Sequence, residues 1–316
     1  MKVLVAGGAG FIGSHACRAL LARGHSVVCL DNLLTGTRAN IEALERHKAF
    51  TFVEADVAET ARISVDRILH LASPASPIDY DRLPLETMAA NSRGTWRLLE
   101  LAAATGAGMT FVSTSEIYGD PLVHPQPETY WGNVDPVGPR SCYDESKRFG
   151  EALLFTMRRT AGVRANVVRL FNTYGPRMRA NDGRVIPELM NAALGGRPLV
   201  LHGDGTQTRS FCYATDLVEG LLNVVLDPQL DGEILNLGNP AEVTMRELAD
   251  EILRVTGSHS PITFDEARAG DPSRRKPDIT RVQRRYGWRP TVSLDEGLRM
   301  TADWFEANVK MTVLTA

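Results

Sequence analysis

The first half of the chain alternates short apolar runs with longer stretches in which apolar residues recur every three or four positions. The runs are Val3–Ala6, Val27–Leu30, Phe50–Glu54, Ile68–Leu71, Met109–Ser113 and Ala165–Leu170. The longer stretches are Ile12–Arg23, Thr87–Ala104 and Asp144–Thr160. A short apolar run fits a strand covered on both faces, and the longer period fits a helix buried along one side. Strands alternating with helices of this length predict parallel β-α-β units and an α/β fold with a doubly wound parallel sheet.

After about Phe171 the pattern loosens. Long loops rich in Gly, Pro and Arg appear at Thr173–Arg184, His202–Arg209 and Ala267–Pro277, and helices are still read at Met245–Thr256 and Leu294–Asn308. This divides the chain into a sheet domain over residues 1–170 and a smaller mixed α/β lobe over 171–316, with segments near 210–240 returning to the first. The lobe is expected to handle substrate above the sheet edge.

With 316 residues, 43% of them hydrophobic, the chain can bury a large core. A net charge of -3 with both signs scattered gives no reason to expect nucleic acid or an acidic membrane as partner. No secretory signal is read at the start and no stretch approaches the ~18 apolar residues of a membrane span, so a cytoplasmic protein is expected. Cys17, Cys29, Cys142 and Cys212 form no CxxC pair and no metal-ligand spacing, so free thiols and no metal are expected.

Gly7, Gly10 and Gly13 follow the strand Val3–Ala6 directly and open a helix. Glycines there allow a tight turn and a close approach of backbone to a pyrophosphate, which the free N–H groups of the helix start attract. Asp31 ends the second strand 18 residues beyond Gly13, where a carboxylate binds ribose hydroxyls and repels a 2′-phosphate. Asn32 follows rather than an arginine, which favours NAD over NADP, and Asp56 after the third strand is placed to contact adenine.

Tyr143 and Lys147, four apart at the start of a helical pattern, share one helix face. A free phenol titrates near 10, and the neighbouring ammonium is expected to lower it into the range of a base. Ser113, Thr114, Ser115 and Glu116 close a strand, and strand ends are where open α/β sheets bind ligands.

The string Gly7-Gly8-Ala9-Gly10-Phe11-Ile12-Gly13, the Thr114/Tyr143/Lys147 trio, Asn172–Arg177 and Arg209-Ser210-Phe211 together resemble the extended short-chain dehydrogenase/reductase family of nucleotide-sugar epimerases, dehydratases and decarboxylases. Longer strings are similar to its UDP-glucuronate decarboxylase branch. They are His70–Pro77, Tyr118–Pro121 with His124–Gln126, Tyr130–Asn133 with Gly138–Glu145, Met178 with Asp182–Val185, and Arg275–Ile279. Asp135 stands where that branch usually has Asn, Ser146 where it has Gly, and Ala6 where it has Thr.

The resemblance implies an NAD-binding domain and a lobe for a UDP-sugar. It implies that Gly7, Gly10, Phe11, Ile12, Gly13, Asp31, Asn32, Asp56, Val57, Leu71, Ala72, Ser73, Tyr143 and Lys147 hold NAD. Asn172, Arg177, Arg209, Tyr213 and Arg275 would hold the substrate, Arg177 and Arg209 at the diphosphate. Thr114, Ser115, Glu116, Tyr143, Lys147 and Arg275 would act on the sugar.

The implied reaction takes a hydride from C4 of UDP-glucuronate, loses CO2 from the resulting β-keto acid, and returns the hydride to give UDP-xylose. Glu116 is expected near the substrate carboxylate, assisting by repulsion or through a bound water. Ser115 stands where the related dehydratases carry an Asp, which argues against water elimination. A UDP-sugar 4-epimerase is the competing reading. Family likeness also implies a homodimer in which Thr87–Ala104 and Asp144–Thr160 pack against their copies as a four-helix bundle. Asp216, His70 and His124 are expected to be structural.

Overall fold

The computed structural model describes residues 1–59, 63–266 and 274–314, with no side-chain account beyond residue 308; residues 267–273 of the Ala267–Pro277 loop therefore lie outside the described residues. Seven parallel strands form the central sheet. They are β1 (Lys2–Ala6), β2 (Ser26–Asp31), β3 (Phe50–Glu54), β4 (Arg67–His70), β5 (Gly108–Thr114), β6 (Ala165–Leu170) and β7 (Ile234–Leu237), in the order β7-β6-β5-β4-β1-β2-β3. The chain winds outward from β1 to β3, then crosses back to β4 and runs to β7. The winding direction thus switches between β1 and β4, where doubly wound sheets open a ligand crevice.

Alternation along each strand sends Val3 and Val5 to one face and Leu4 and Ala6 to the other. The first face is covered by α1 (Phe11–Ala22) and a helix over Ala214–Val225. The second is covered by α2 (Thr95–Thr105) and α3 (Ser141–Ala161), through Leu98, Leu99, Leu153 and Leu154. The expected helix over Thr87–Ala104 is found as Pro84–Ala89, a π-helical turn over Ala90–Gly94, and α2.

The rest of the second half forms a lobe over the carboxyl ends of the strands. Its core joins the helices Val185–Leu194, Met245–Thr256 and Leu294–Leu314. Three short strands, Glu242–Thr244, Thr208–Ser210 and Arg274–Arg275, make a small separate sheet with Thr208–Ser210 in the middle. Among the described residues no helix is long and apolar enough to cross a membrane.

Candidate functional site

A cavity of about 790 Å³ lies between the strand ends and the lobe. Gly7, Gly10, Phe11, Ile12, Gly13, Leu71 and Ser73 line one end, Thr114, Ser115, Glu116, Tyr143 and Lys147 the middle, and Asn172, Arg177, Arg209 and Arg275 the lobe side. A pocket of about 80 Å³ continues past Gly7 and Gly10 to Asp31, Asn32, Asp56, Val57 and Ala72. Tyr213 is the expected site residue that lines neither. It precedes the helix Ala214–Val225, its ring packs edge-on against Tyr174 in the lobe core, and its hydroxyl faces Met300 Sδ at 3.6 Å.

The glycine turn is dictated by crowding. Gly7 has φ +83°, and a Cβ there would stand 2.6 Å from the Ala72 nitrogen; a Cβ on Gly13 would stand 2.0 Å from the Gly7 carbonyl oxygen. Helix α1 starts at Gly10 with no side-chain cap and no acid in its first turn, so its end stays open to an anion. Asp31 is buried and accepts from the Ala9 N–H at 2.9 Å and the Leu33 N–H at 2.8 Å. Burial nonetheless raises its pKa, the backbone bonds opposing. Asn32 donates to Asp56 Oδ2 at 2.8 Å, and Asp56 in turn accepts from the Ala58 N–H. An open helix start, a close glycine turn and a carboxylate at the end of β2 fit a dinucleotide.

Tyr143 and Lys147 both lie buried on the first turns of α3. The Tyr143 ring stacks on Tyr80 at 5.3 Å between centroids, and its hydroxyl pairs with the Thr114 side chain. Lys147 Nζ donates to the Val112 carbonyl at 2.9 Å and lies 5.9 Å from the Tyr143 ring centroid. Burial pushes the phenol up to about 12, with Thr114 and Arg184 opposing. Burial also pulls the amine down to about 7, with Glu151 opposing. The expected lowering of the phenol by Lys147 is thus not supplied by the polypeptide alone, because burial is the largest influence on both groups. Ser146 accepts from Asn91 Nδ2 at 3.0 Å and donates to the Tyr143 carbonyl at 3.0 Å, which ties α3 to the π-helical turn.

Strand pairing brings Arg275 in. Arg274–Arg275 runs parallel to Thr208–Arg209 with Arg275 opposite Arg209, and alternation turns Arg275 inward while Arg274 stays exposed. Arg275 grips Glu116 with both Nη atoms, Nη2 to Oε2 at 2.9 Å. Arg140 donates to the same Oε2. Glu116, expected to assist by repulsion or through a bound water, is thus paired with two guanidiniums. Asp144, buried beside them with an unpartnered Oδ1, has its pKa raised to about 7 by burial first and Glu116 second. Around the whole cavity, seven cationic side chains (Arg140, Lys147, Arg177, Arg179, Arg184, Arg209, Arg275) face five acidic ones (Asp79, Asp81, Glu116, Asp182, Glu188). That balance suits a polyanionic ligand.

Residues 3–238 match the family model described as the NAD dependent epimerase/dehydratase family. This chain belongs to that family. It is 46% identical to UDP-glucuronic acid decarboxylase 1 of Arabidopsis thaliana over 96% of this chain and 70% of that one. It is 44% identical to UDP-glucuronic acid decarboxylase 1 of Xenopus tropicalis over 98% and 73%. Among solved structures it is similar to UDP-glucuronic acid 4-epimerase of Bacillus cereus in complex with UDP-glucuronic acid and NAD (TM-score 0.88, 28% identity, 98% of this chain, 100% of that one). It is also similar to DesIV, the dTDP-glucose 4,6-dehydratase of Streptomyces venezuelae, with NAD and TYD bound (TM-score 0.89, 30% identity, 98% of each).

Set on this family frame, several cavity residues carry no assignment from sequence reasoning. Arg140 and Arg184 sit inside the strings that carried the resemblance, so their positions were legible but their roles were not. Arg184 pairs with Asp182 through both its Nε and Nη2, and Arg179 pairs with the buried Asp79. Arg177 has φ 71°, a strained backbone for a side chain-bearing residue, on the cavity wall. Outside the cavity, Asp216 accepts from the Thr291 and Val292 N–H groups at 2.7 Å. His70 meets Thr95 at 3.0 Å and His124 meets Glu242 at 3.2 Å.

Proposed function

We propose that this chain catalyses the NAD-dependent decarboxylation of UDP-glucuronate to UDP-xylose through a UDP-4-keto intermediate. The observation that carries the reading is the Glu116–Arg140–Arg275 cluster, which opens into the cavity beside Tyr143 and offers a cationic partner to a carboxylate on C5. The names of relatives 44–46% identical over nearly the whole chain support it.

NAD, held by Gly7–Gly13, Asp31 and Lys147, supplies oxidation and re-reduction at C4 when bound. Thr114 and Tyr143 receive the sugar O4, and Tyr143 takes its proton and later returns it. Arg177 and Arg209 take the diphosphate, for which a guanidinium fork is suited. With a ketone at C4, the C5 carboxylate belongs to a β-keto acid. The C5–carboxylate bond breaks, its electrons pass to the C4 oxygen as an enolate, and CO2 leaves. A proton from solvent adds at C5 and restores the ketone. The Thr114 and Tyr143 hydroxyls stabilise the enolate oxygen, and Arg275 orients the carboxylate. Ser115 provides no acid to expel a hydroxyl, which disfavours dehydration.

The test is mass spectrometry of purified protein with UDP-glucuronate and NAD. Loss of CO2 to a UDP-pentose without net NADH is the expected result. An unchanged substrate mass would refute the reading. A UDP-sugar 4-epimerase is the second reading, favoured by the likeness to solved 4-epimerases, and it gives an isomer of unchanged mass.

We also propose a homodimer through a four-helix bundle. Leu85, Met88 and Trp96, at three- to eight-residue spacing along one helical run, and Phe149 on α3 are large apolar side chains left exposed on neighbouring helices. A Trp96→Glu/Phe149→Glu double variant is expected to elute as a monomer where the parent elutes as a dimer in light-scattering chromatography. A cytoplasmic location fits the four free cysteines.

A further inference from the structure

Three charged groups from distant parts of the chain meet at one point. Glu116 follows β5, Arg140 lies 24 positions on, immediately before α3, and Arg275 lies 159 positions on in the lobe's small sheet. Glu116 Oε2 accepts from both arginines, and Oε1 accepts from Arg275. A guanidinium carries five N–H donors, and Arg275 meets Glu116 through its two Nη groups while its buried Nε has no partner, so the cluster retains a donor for a second carboxylate.

Charge points the same way. Two guanidiniums converge on the one Glu116 carboxylate. Asp144, a further acid in reach, carries only part of a charge at neutral pH, because burial first and Glu116 second raise its carboxyl to about 7. The two arms differ in freedom. The Arg275 side chain is 7% exposed and the Arg140 side chain 26% exposed. The base of the freer arm is nevertheless fixed, since the Arg140 carbonyl accepts from the Tyr143 N–H at 3.0 Å and the Asp144 N–H at 3.1 Å. Arg140 is thus anchored to the turn that carries Tyr143, and both line the cavity.

We infer that Arg140 is the second arm of the clamp that reads the substrate's carboxylate, and that Glu116 is an internal carboxylate competing with it for the two guanidiniums. The inference rests on the decarboxylase reading and makes Arg140 a specificity-determining residue for a uronate over the corresponding hydroxymethyl sugar. Glu116 then has a defined effect. It lowers ground-state affinity for the uronate and re-pairs with the arginines once CO2 has left, so that the product, which no longer carries a carboxylate, is not held by the clamp.

The experiment titrates the NAD-loaded Tyr143→Phe protein, in which turnover is strongly slowed, with UDP-glucuronate and with UDP-glucose by calorimetry. Adding Arg140→Met is expected to weaken UDP-glucuronate at least tenfold while UDP-glucose changes less than twofold. Adding Glu116→Gln is expected to tighten UDP-glucuronate several-fold, a sign that a merely structural Glu116 would not give. Arg140→Lys, which keeps the charge but loses the fork, is expected to fall between parent and Arg140→Met, and it serves if the methionine variant does not fold. The inference is overturned if Arg140→Met keeps the preference for UDP-glucuronate, if it loses both ligands alike, or if Glu116→Gln weakens the uronate. Failure of the underlying reading looks different: the chain with Tyr143 intact releases no CO2 from UDP-glucuronate and binds the two UDP-sugars alike.

Discussion

Lys147 offers a stringent check on the energetics of the site. Its amine is buried and its pKa is pulled from 10.5 to about 7. The unfolded chain therefore holds a proton that the native chain releases between pH 7 and pH 10.5. The penalty on stability is fully present below pH 7 and is relieved as pH rises toward 10.5. At 1.36 kcal/mol per pK unit the full penalty is about 5 kcal/mol at pH 6, and it shrinks to about 1.5 kcal/mol at pH 9.5.

Lys147→Met removes the charge and keeps an unbranched chain of similar length. It also removes the hydrogen bond to the Val112 carbonyl and the contact of Nζ with the Phe111 ring at 5.2 Å. Together these are worth about 2 kcal/mol. In cofactor-stripped protein, the variant is expected to be about 3 kcal/mol more stable than the parent at pH 6 and level with it at pH 9.5. Urea unfolding at the two pH values reads this, since every other titrating group is common to both proteins. A variant less stable at pH 6, or a difference that does not change with pH, would refute a desolvated lysine as the cause. The same variant is expected to lose turnover, which makes the site a place where stability has been given up for function.

Tyr143→Phe is expected to lower turnover by ~10²–10⁴-fold, the usual range for a positioned proton acceptor, with NAD affinity kept within about threefold; near-normal turnover would remove Tyr143 as the base. Asp31→Asn leaves only one acceptor for the Ala9 and Leu33 N–H groups, so a stability loss of about 1–3 kcal/mol should accompany weaker NAD binding and a smaller preference over NADP. Unchanged titrations with both cofactors would defeat the ribose assignment. Arg169→Met strands the Glu151 carboxylate, which Arg169 holds at 3.0 and 2.7 Å, and should cost about 3–5 kcal/mol in urea unfolding. A loss below about 1 kcal/mol would show that this buried pair does not hold β6 to α3.

The sheet was legible because β1 to β6 each carry a run of apolar residues, most of them buried. β7 was not, because Asn236 interrupts Ile234–Leu237. Asn236 is fully buried, and its N–H donates to Glu128 while its side-chain amide donates to the Gln126 and Asp278 carbonyls, partners that only the folded chain supplies. The glycine turn and the Tyr143–Lys147 pair were legible because their spacing is local. The phenol's pKa was not, because desolvation depends on everything packed around it, Tyr80 included. The packing of Tyr213 was not legible for a similar reason: its neighbours Phe211 and Arg209 line the cavity, while its own ring packs against Tyr174 just before the helix that starts at Ala214. Arg275 was named through the resemblance alone; that its side chain turns inward and Arg274's outward follows from a strand register that two residues cannot announce.

Epimerases and a dehydratase share this frame at TM-scores of 0.88–0.89 and 28–30% identity, so the frame itself does not select the reaction. Under the decarboxylase reading, what must differ is the handling of C5, and the structure draws those groups from three separate elements. Glu116 is fixed by the end of β5, Arg140 by the start of α3, and Arg275 by pairing with Arg209. Each element also positions a residue for another part of the site: Thr114, Tyr143 and Arg209 respectively. A change at any one of the three charged positions therefore leaves the cofactor end and the O4 contacts in place while altering what happens at C5. This arrangement is how one oxidising site, unchanged in its backbone, can serve reactions that diverge only after the ketone has formed.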